Sequence, residues 1–225
     1  MADTYEVEVK SLLGSEEAAR AFRVRLTECS PETTLRSSHS QLNHYFEGGD
    51  IALLAEALSS TVSTETAAKL ARIAAEGRNL SVRTRKADEA VKIVVKASVG
   101  DDTSENGVAR IEIEEALPLS LDSLDALVLS AGYTYQAKWS RTREEYESGA
   151  FSVCLDKNAG YGYLAEIERV VDREDAVGEA RAAIDSFMET LGIRELPQER
   201  LERMFAHYNT HWQEYYGTDK IFVLE

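Results

Sequence analysis

The residues that could do chemistry are ionisable and recur at a spacing of two. Glu6, Glu8 and Lys10 alternate with Tyr5, Val7 and Val9, and Arg83 and Arg85 repeat the pattern. So do Lys92 and Lys96 around Ile93 and Val95, and Arg110, Glu112 and Glu114 around Ile111 and Ile113. Arg141 with Arg143, Asp156 beside Val153 and Leu155, and Glu166 with Glu168 around Ile167 complete the set. In a strand, residues two apart share a face. For any single strand a solvated sheet face explains the alternation. The set points further, because its pairs are of both signs and nearly all ionisable. A closed or nearly closed barrel with a charged, watery interior and helices over its apolar outer face accounts for that better. Inside such a barrel, charges must pair or meet a ligand or metal. Carboxylates gather divalent cations, and arginine and lysine clamp phosphate oxygens. A lumen with both suits a metal-bound polyphosphate.

The elements that must position these residues can be read from the same chain. Strands are predicted at 4–10, 42–47, 79–86, 89–97, 107–116, 134–146, 150–156 and 162–171. Ser15 opens a helix over 16–28, and residues 29–40 read as a polar loop. Two helices, 51–58 and 65–76, are separated by a Ser/Thr break, and Gly77 ends the second. Residues 99–106 read as a turn. Ser120 caps a helix ended by Gly132, and Asp172 with Asp175 resembles a capping box before a helix to Leu191, stopped by Gly192. Pro197 opens a last helix to about Tyr216, and the tail KIFVLE reads as a short edge strand. The α+β expectation is one domain over 1–225, with a helical insertion at about 50–77 and C-terminal helices at about 172–216.

Composition narrows the function. The chain has 225 residues, with 40 acids against 25 bases and a formal charge of −15. A duplex phosphate backbone would be repelled, so no nucleic-acid partner is expected. No run of 18 apolar residues is present and the N-terminus lacks a secretory pattern, so neither a membrane span nor export is expected. Two cysteines, Cys29 and Cys154, make no disulfide framework, and the default compartment is cytoplasmic. His207 and His211 have a spacing that suits zinc, but no third ligand is placed near them, and a structural or surface role is expected. Phe205, Tyr208, Trp212, Tyr215 and Tyr216 read as core packing. Gly160-x-Gly162 reads as a tight turn.

Several of these segments, in order, resemble the signatures of the CYTH, or triphosphate tunnel metalloenzyme, superfamily. EVEVK (6–10) is similar to its ExExK opening, and LNHYFE (42–47) to its aromatic strand. RTR (83–85), KIVVK (92–96), RIEIE (110–114) and RTREEY (141–146) resemble its basic and mixed strands. LDKNAGYGYLAEIE (155–168) resembles its closing segment. Ser81 stands where the family's arginine strand commonly begins, with Arg83 and Arg85 following. The resemblance implies an eight-stranded antiparallel β-barrel and Mg²⁺ or Mn²⁺ as cofactor. It makes Glu6, Glu8, Asp156, Glu166 and Glu168 candidate metal ligands. Lys10, Arg83, Arg85, Lys96, Arg141 and Arg143 become candidate triphosphate contacts, and Arg110, Glu112 and Glu114 candidates for ordering the tunnel. The implied partner is a small triphosphate-bearing molecule: ATP, thiamine triphosphate or tripolyphosphate. The look is closest to class IV adenylate cyclases, which turn ATP into cyclic AMP and pyrophosphate. A triphosphatase and a non-catalytic polyphosphate- or nucleotide-binding module remain as alternatives.

Overall fold

Polar residues that close an extended segment start four of the helices. Ser15, Ser63 and Ser120 accept from the amides of Ala18, Thr66 and Ser123, and Asp50 accepts from Ala52 and Leu53. Each satisfies an amide that the first helical turn leaves unpaired. The computed structural model describes residues 5–98 and 110–224. In chain order the elements are β1 (Tyr5–Gly14), α1 (Glu16–Cys29), β2 (Thr34–Gly48), α2 (Ile51–Leu58), α3 (Thr64–Glu76), β3 (Arg78–Ala87), β4 (Ala90–Ser98) and β5 (Arg110–Ala116). There follow α4 (Leu121–Ser130), β6 (Tyr133–Ser148), β7 (Phe151–Asn158), β8 (Gly162–Val171), a 3₁₀ turn (Glu174–Ala176), α5 (Val177–Leu191) and α6 (Gln198–Tyr215). The eight strands form one antiparallel sheet in the order β1-β8-β7-β6-β2-β3-β4-β5, giving the expected α+β class. As hydrogen-bonded, that order has two ends, β1 and β5. No described helix is long and apolar enough to cross a membrane.

The chain divides into two compact units, Met1–Ser40 with Ser140–Glu225, and Gln41–Trp139. In the first, the apolar parity of β1, β7 and β8 (Val9, Val153, Leu155, Ala165, Ile167) packs on Phe22 and Leu26 of α1 and Ile184, Met188 and Leu191 of α5. In the second, Val82, Ile93, Val95 and Ile113 pack on Leu54, Leu58, Leu70 and Ile73 of α2 and α3, and on Leu124 and Val128 of α4. Each fully buried leucine contributes about 1.5–3 kcal/mol. The 50–77 segment therefore covers the apolar side of β3–β5, away from the arginine parity.

Three expectations change in detail. Part of the predicted 29–40 loop is strand, because β2 starts at Thr34. Ser37 donates to Glu145 of β6 at 2.8 Å and Arg36 pairs with Glu147, so polar side chains support a strand that apolar periodicity does not reveal. No side chain caps α5; the chain enters it through the 3₁₀ turn, with Ala176 at the N-cap position. The tail forms a single parallel bridge, Ile221 to Gly160, instead of a strand. The turn expected at 99–106 and residues 107–109 of the predicted fifth strand lie outside the described residues.

Gly160 and Gly162 are required where they stand. Both have positive φ, 93° for Gly160 in the turn between β7 and β8 and 77° for Gly162 at the start of β8. A Cβ on Gly162 would lie 2.1 Å from the Gly14 carbonyl oxygen, and one on Gly160 would strike the Tyr208 ring.

Candidate functional site

In the first unit, register brings the predicted residues of β1, β6, β7 and β8 onto one face. Glu8 stands opposite Glu168 and Lys10 opposite Glu166 across β1–β8, while Arg143 stands opposite Asp156 across β6–β7. Asp156 is fully buried and accepts from Arg141 Nη1 and from Arg143 Nε and Nη2, each at 2.7 Å. The second bond pair is a bidentate fork, the strongest geometry for these groups. Arg143 Nη2 also donates to Glu166 at 2.6 Å, and Lys10 lies 3.6 Å from Glu166 and pairs with Glu8.

Burial works against the charge on Arg143, but Asp156 and Glu166 outweigh it and hold the guanidinium firmly protonated. Burial would likewise raise the Glu166 carboxyl, yet Arg143, Lys10 and Arg141 hold it below the usual carboxylate range. Cys154 shares this face. Burial, reinforced by Glu166, Asp156 and Glu145 and only partly opposed by Arg143, pushes its thiol up to about 12. It is a thiol at neutral pH and no nucleophile.

The carboxylates divide by environment. Asp156 and Glu166 are committed to arginines. Glu6 and Glu8 are exposed, and Glu168 is half-buried directly across from Glu8. Like charges placed directly opposite destabilise a sheet pair unless something lies between them. Among the described residues, no three His, Cys, Asp or Glu side chains converge as a ready-made metal cage. Magnesium does not need one: it keeps several waters and takes one or two carboxylates, with substrate phosphates completing its shell. Hard oxygen donors at Glu8 and Glu168, with Glu6 adjacent on β1, fit such an ion.

In the second unit, Asn43 and Tyr45 of β2, Arg83 and Arg85 of β3, Lys92 and Lys96 of β4, and Glu112 and Glu114 of β5 share a face by register. Arg85 donates to Asn43 at 2.8 Å and to Glu114 at 3.0 Å. Lys92 pairs with Glu114 and Lys96 with Glu112, at 2.8 and 2.9 Å. Burial would raise Glu114, but Lys92, Arg85 and Arg83 hold it low. Arg83 donates to the Tyr45 hydroxyl at 3.0 Å, its Nε is buried without a partner, and no carboxylate is within ion-pair distance among the described residues. Ser81 faces Lys96 across the ladder. The backbone of Arg110 pairs with Ser98, while its side chain lies outside the described part of the structure.

Sequence reasoning missed a buried polar cluster behind this second face. Asp125 of α4 accepts from Thr84 at 2.6 Å and from Tyr135 at 2.7 Å, and bonds His44 Nδ1 at 2.7 Å. Asp125, His44 and Thr84 are all buried. Burial would raise Asp125, but the three hydrogen bonds hold it low. Thr84 lies between Arg83 and Arg85, and His44 between Asn43 and Tyr45, so the cluster pins both strands from behind. The available signal was a polar residue at a core position of each element, His44 before Phe46 and Asp125 beside Leu124.

His207 and His211 stack at 4.4 Å on α6, with His211 Nδ1 bonded to the His207 carbonyl oxygen, an arrangement internal to the helix. Tyr208 is fully buried against Tyr161, as expected of core packing.

No curated protein matches the chain. Among solved structures, a conserved hypothetical protein from Pyrococcus furiosus is 18% identical with a TM-score of 0.58, over 85% of this chain and 93% of its own. The PH1819 protein from Pyrococcus horikoshii OT3 is 17% identical with a TM-score of 0.58, over 90% and 99%. A Vibrio parahaemolyticus protein named a candidate adenylate cyclase is 14% identical with a TM-score of 0.56, over 90% and 98%. At such identities the likeness is one of fold. The family model of the CYTH domain matches residues 69–200, more than half of the sequence, and the chain belongs to the CYTH domain family.

Proposed function

We propose that this protein is a metal-dependent enzyme that acts on ATP as a class IV adenylate cyclase does, forming cyclic AMP and pyrophosphate. The family is one of metal-dependent proteins acting on triphosphate-bearing substrates. The observation that carries the reading is the face of the first unit. There a pair of opposed carboxylates, Glu8 and Glu168, lies beside the network that locks Arg141 and Arg143 in place.

In this reading Glu6, Glu8 and Glu168 hold Mg²⁺ or Mn²⁺, and Glu166 stands next to them. The ion, when bound, neutralises phosphate charge and polarises the phosphoryl oxygen. Asp156 orients Arg141 and Arg143 toward phosphate oxygens; it is too fully engaged with them to serve as a first ligand. Lys10, tied to Glu8 and Glu166, adds a movable positive charge. In the second unit Arg83, Arg85 and Lys96 are assigned to phosphate oxygens, and Glu112, Glu114 and Arg110 to holding that row in order. Charge leaving with the pyrophosphate oxygens is what such fixed cations stabilise.

The test is incubation with ATP, thiamine triphosphate and tripolyphosphate, each with Mg²⁺ or Mn²⁺, and chromatography of the products. Cyclic AMP with pyrophosphate is the expected result. ADP, thiamine diphosphate or phosphate would make the protein a triphosphatase, and no turnover of any of the three would end the enzyme reading. Turnover should stop in EDTA and return with either ion; full activity in EDTA would remove the metal from the account.

A further inference from the structure

We propose that a second site, behind β1 and independent of the charged face, binds an organic anion with an apolar body. A cleft of about 530 Å³ lies within the first unit, bounded by β1, α1 and the segment joining α5 to α6. That volume is in the range of small-molecule sites. Its lining is mixed: Leu12, Leu13, Ile193 and Pro197 supply apolar surface beside Ser11 and the charged residues, over the buried side chains of Phe22, Leu191 and Leu196. Arginine surrounds it: Arg25, Arg194 and Arg200 all line the cleft.

Arg25 and Arg194 are exposed and Arg200 is half-buried, and three observations leave this rim open to an anion. None of these arginines has an ion-pair partner among the described residues, although the chain carries 40 acids to 25 bases. The single acid in the lining, Glu195, is already bonded by Arg181. Arg200 Nε is buried with no hydrogen-bond partner, an arrangement that costs free energy until an acceptor arrives. Ser11 carries the parity of Val7 and Val9, away from the carboxylates of β1. It is 3% exposed and lines the cleft.

The backbone supports the same polarity. Gly192 has φ 66°, and a Cβ there would lie 2.0 Å from Arg25 Nη1, so glycine makes room for that guanidinium. Arg25 in turn donates to the Leu191 carbonyl oxygen at 3.1 Å, which fixes it at the end of α5. The N-terminus of α6 follows Pro197, another lining residue, with no side-chain cap on its first amides. A helix start carries partial positive charge. The apolar part of the lining, Leu12, Leu13, Ile193 and Pro197, favours a hydrocarbon body over an inorganic polyphosphate, and the arginine rim favours a carboxylate or phosphate head.

Calorimetric titration of the full chain with octanoate, octyl phosphate and 1-octanol tests this. Saturable binding of both anions is expected, with the neutral alcohol at least about tenfold weaker. Arg200→Gln and Arg194→Gln should each weaken octanoate about tenfold or more, the size of one lost charge-assisted contact. Ala21→Trp, which fills the cleft from an exposed helical position, should abolish binding with the unfolding midpoint unchanged. Excess tripolyphosphate should not displace octanoate. The proposal is overturned if neither anion binds the folded protein, if octanol binds as well as octanoate, or if the arginine variants bind unchanged. Displacement by tripolyphosphate would overturn it too, because the anion would then sit on the charged face.

Discussion

In the first unit the arginines are neutralised by a carboxylate withdrawn from water, whereas in the second the acids stand partly in solvent. Asp156 is 0% exposed between Arg141 and Arg143; the Glu112 side chain is 42% exposed beside Lys96. The balance of sign also differs. The first face carries Glu6, Glu8, Asp156, Glu166 and Glu168 against Lys10, Arg141 and Arg143. The described side chains of the second carry Arg83, Arg85, Lys92 and Lys96 against Glu112 and Glu114. Both were built from the same alternation, yet one carries an excess of acids and the other an excess of bases. Asp156 and Glu166 take up Arg141 and Arg143, and Glu6, Glu8 and Glu168 remain on the same face as further acids. On the second face Arg83 donates to Tyr45 and, among the described residues, has no carboxylate within ion-pair distance, although it helps to hold Glu114 low.

The largest effect that could break this contrast is expected at Asp156. Asp156→Ala would leave two arginines crowded together with their shared acceptor gone, and removing one partner of a buried pair costs about 3–5 kcal/mol. Urea unfolding should show that loss. A change under about 1 kcal/mol would mean that the first network is no tighter than the second. Next in size is Arg83→Ala. If Arg83 is open to phosphate, triphosphate affinity should fall by about 1.5–3 kcal/mol, roughly ten- to a hundredfold. Added Mn²⁺ should not restore it, whereas it should partly rescue Glu168→Gln. Titrations of the two variants with metal and with substrate separate the roles, and rescue of Arg83→Ala by metal would erase the contrast.

A smaller effect concerns acid. Glu166 has its carboxyl depressed in the folded state, so it binds protons less readily than in the unfolded chain. The stability this supplies is complete above the ordinary glutamate range, about 4.3, and is lost as pH falls through the depressed value. Glu166→Gln should therefore flatten the decline of the thermal midpoint below about pH 4.3. Glu114 is depressed as well, and Glu114→Gln should flatten the same region. Identical acid profiles for wild type and both variants would remove the electrostatic account of either face. The smallest effect is expected at Glu112→Ala, within about 0.5 kcal/mol, because a partly exposed pair contributes little.

Much of this protein was legible from residue order alone, for a local reason. Strand parity is a property of the backbone, so Glu6, Glu8 and Lys10 had to share a face wherever β1 was placed, as did Arg83 with Arg85. Caps at Ser15 and Ser120 and stops at Gly77 and Gly192 are equally local. The motif residues, read in order, carried the family. Where local signals were weak the reading slipped: residues 34–40 lack an apolar stripe, and their strand rests on partners more than 100 residues away, Glu145 and Glu147. What only the tertiary structure decided was which charge meets which. Nothing in the spacing of Asp156 says that it is buried under two arginines while Glu8 stays in water, since that follows from the β6–β7 and β1–β8 registers. Nor could the sequence announce that Asp125 of α4 reaches His44 and Thr84. Burial and cross-strand register are long-range quantities, and they divide chemically identical carboxylates into those buried under arginines and those that stand at the solvent.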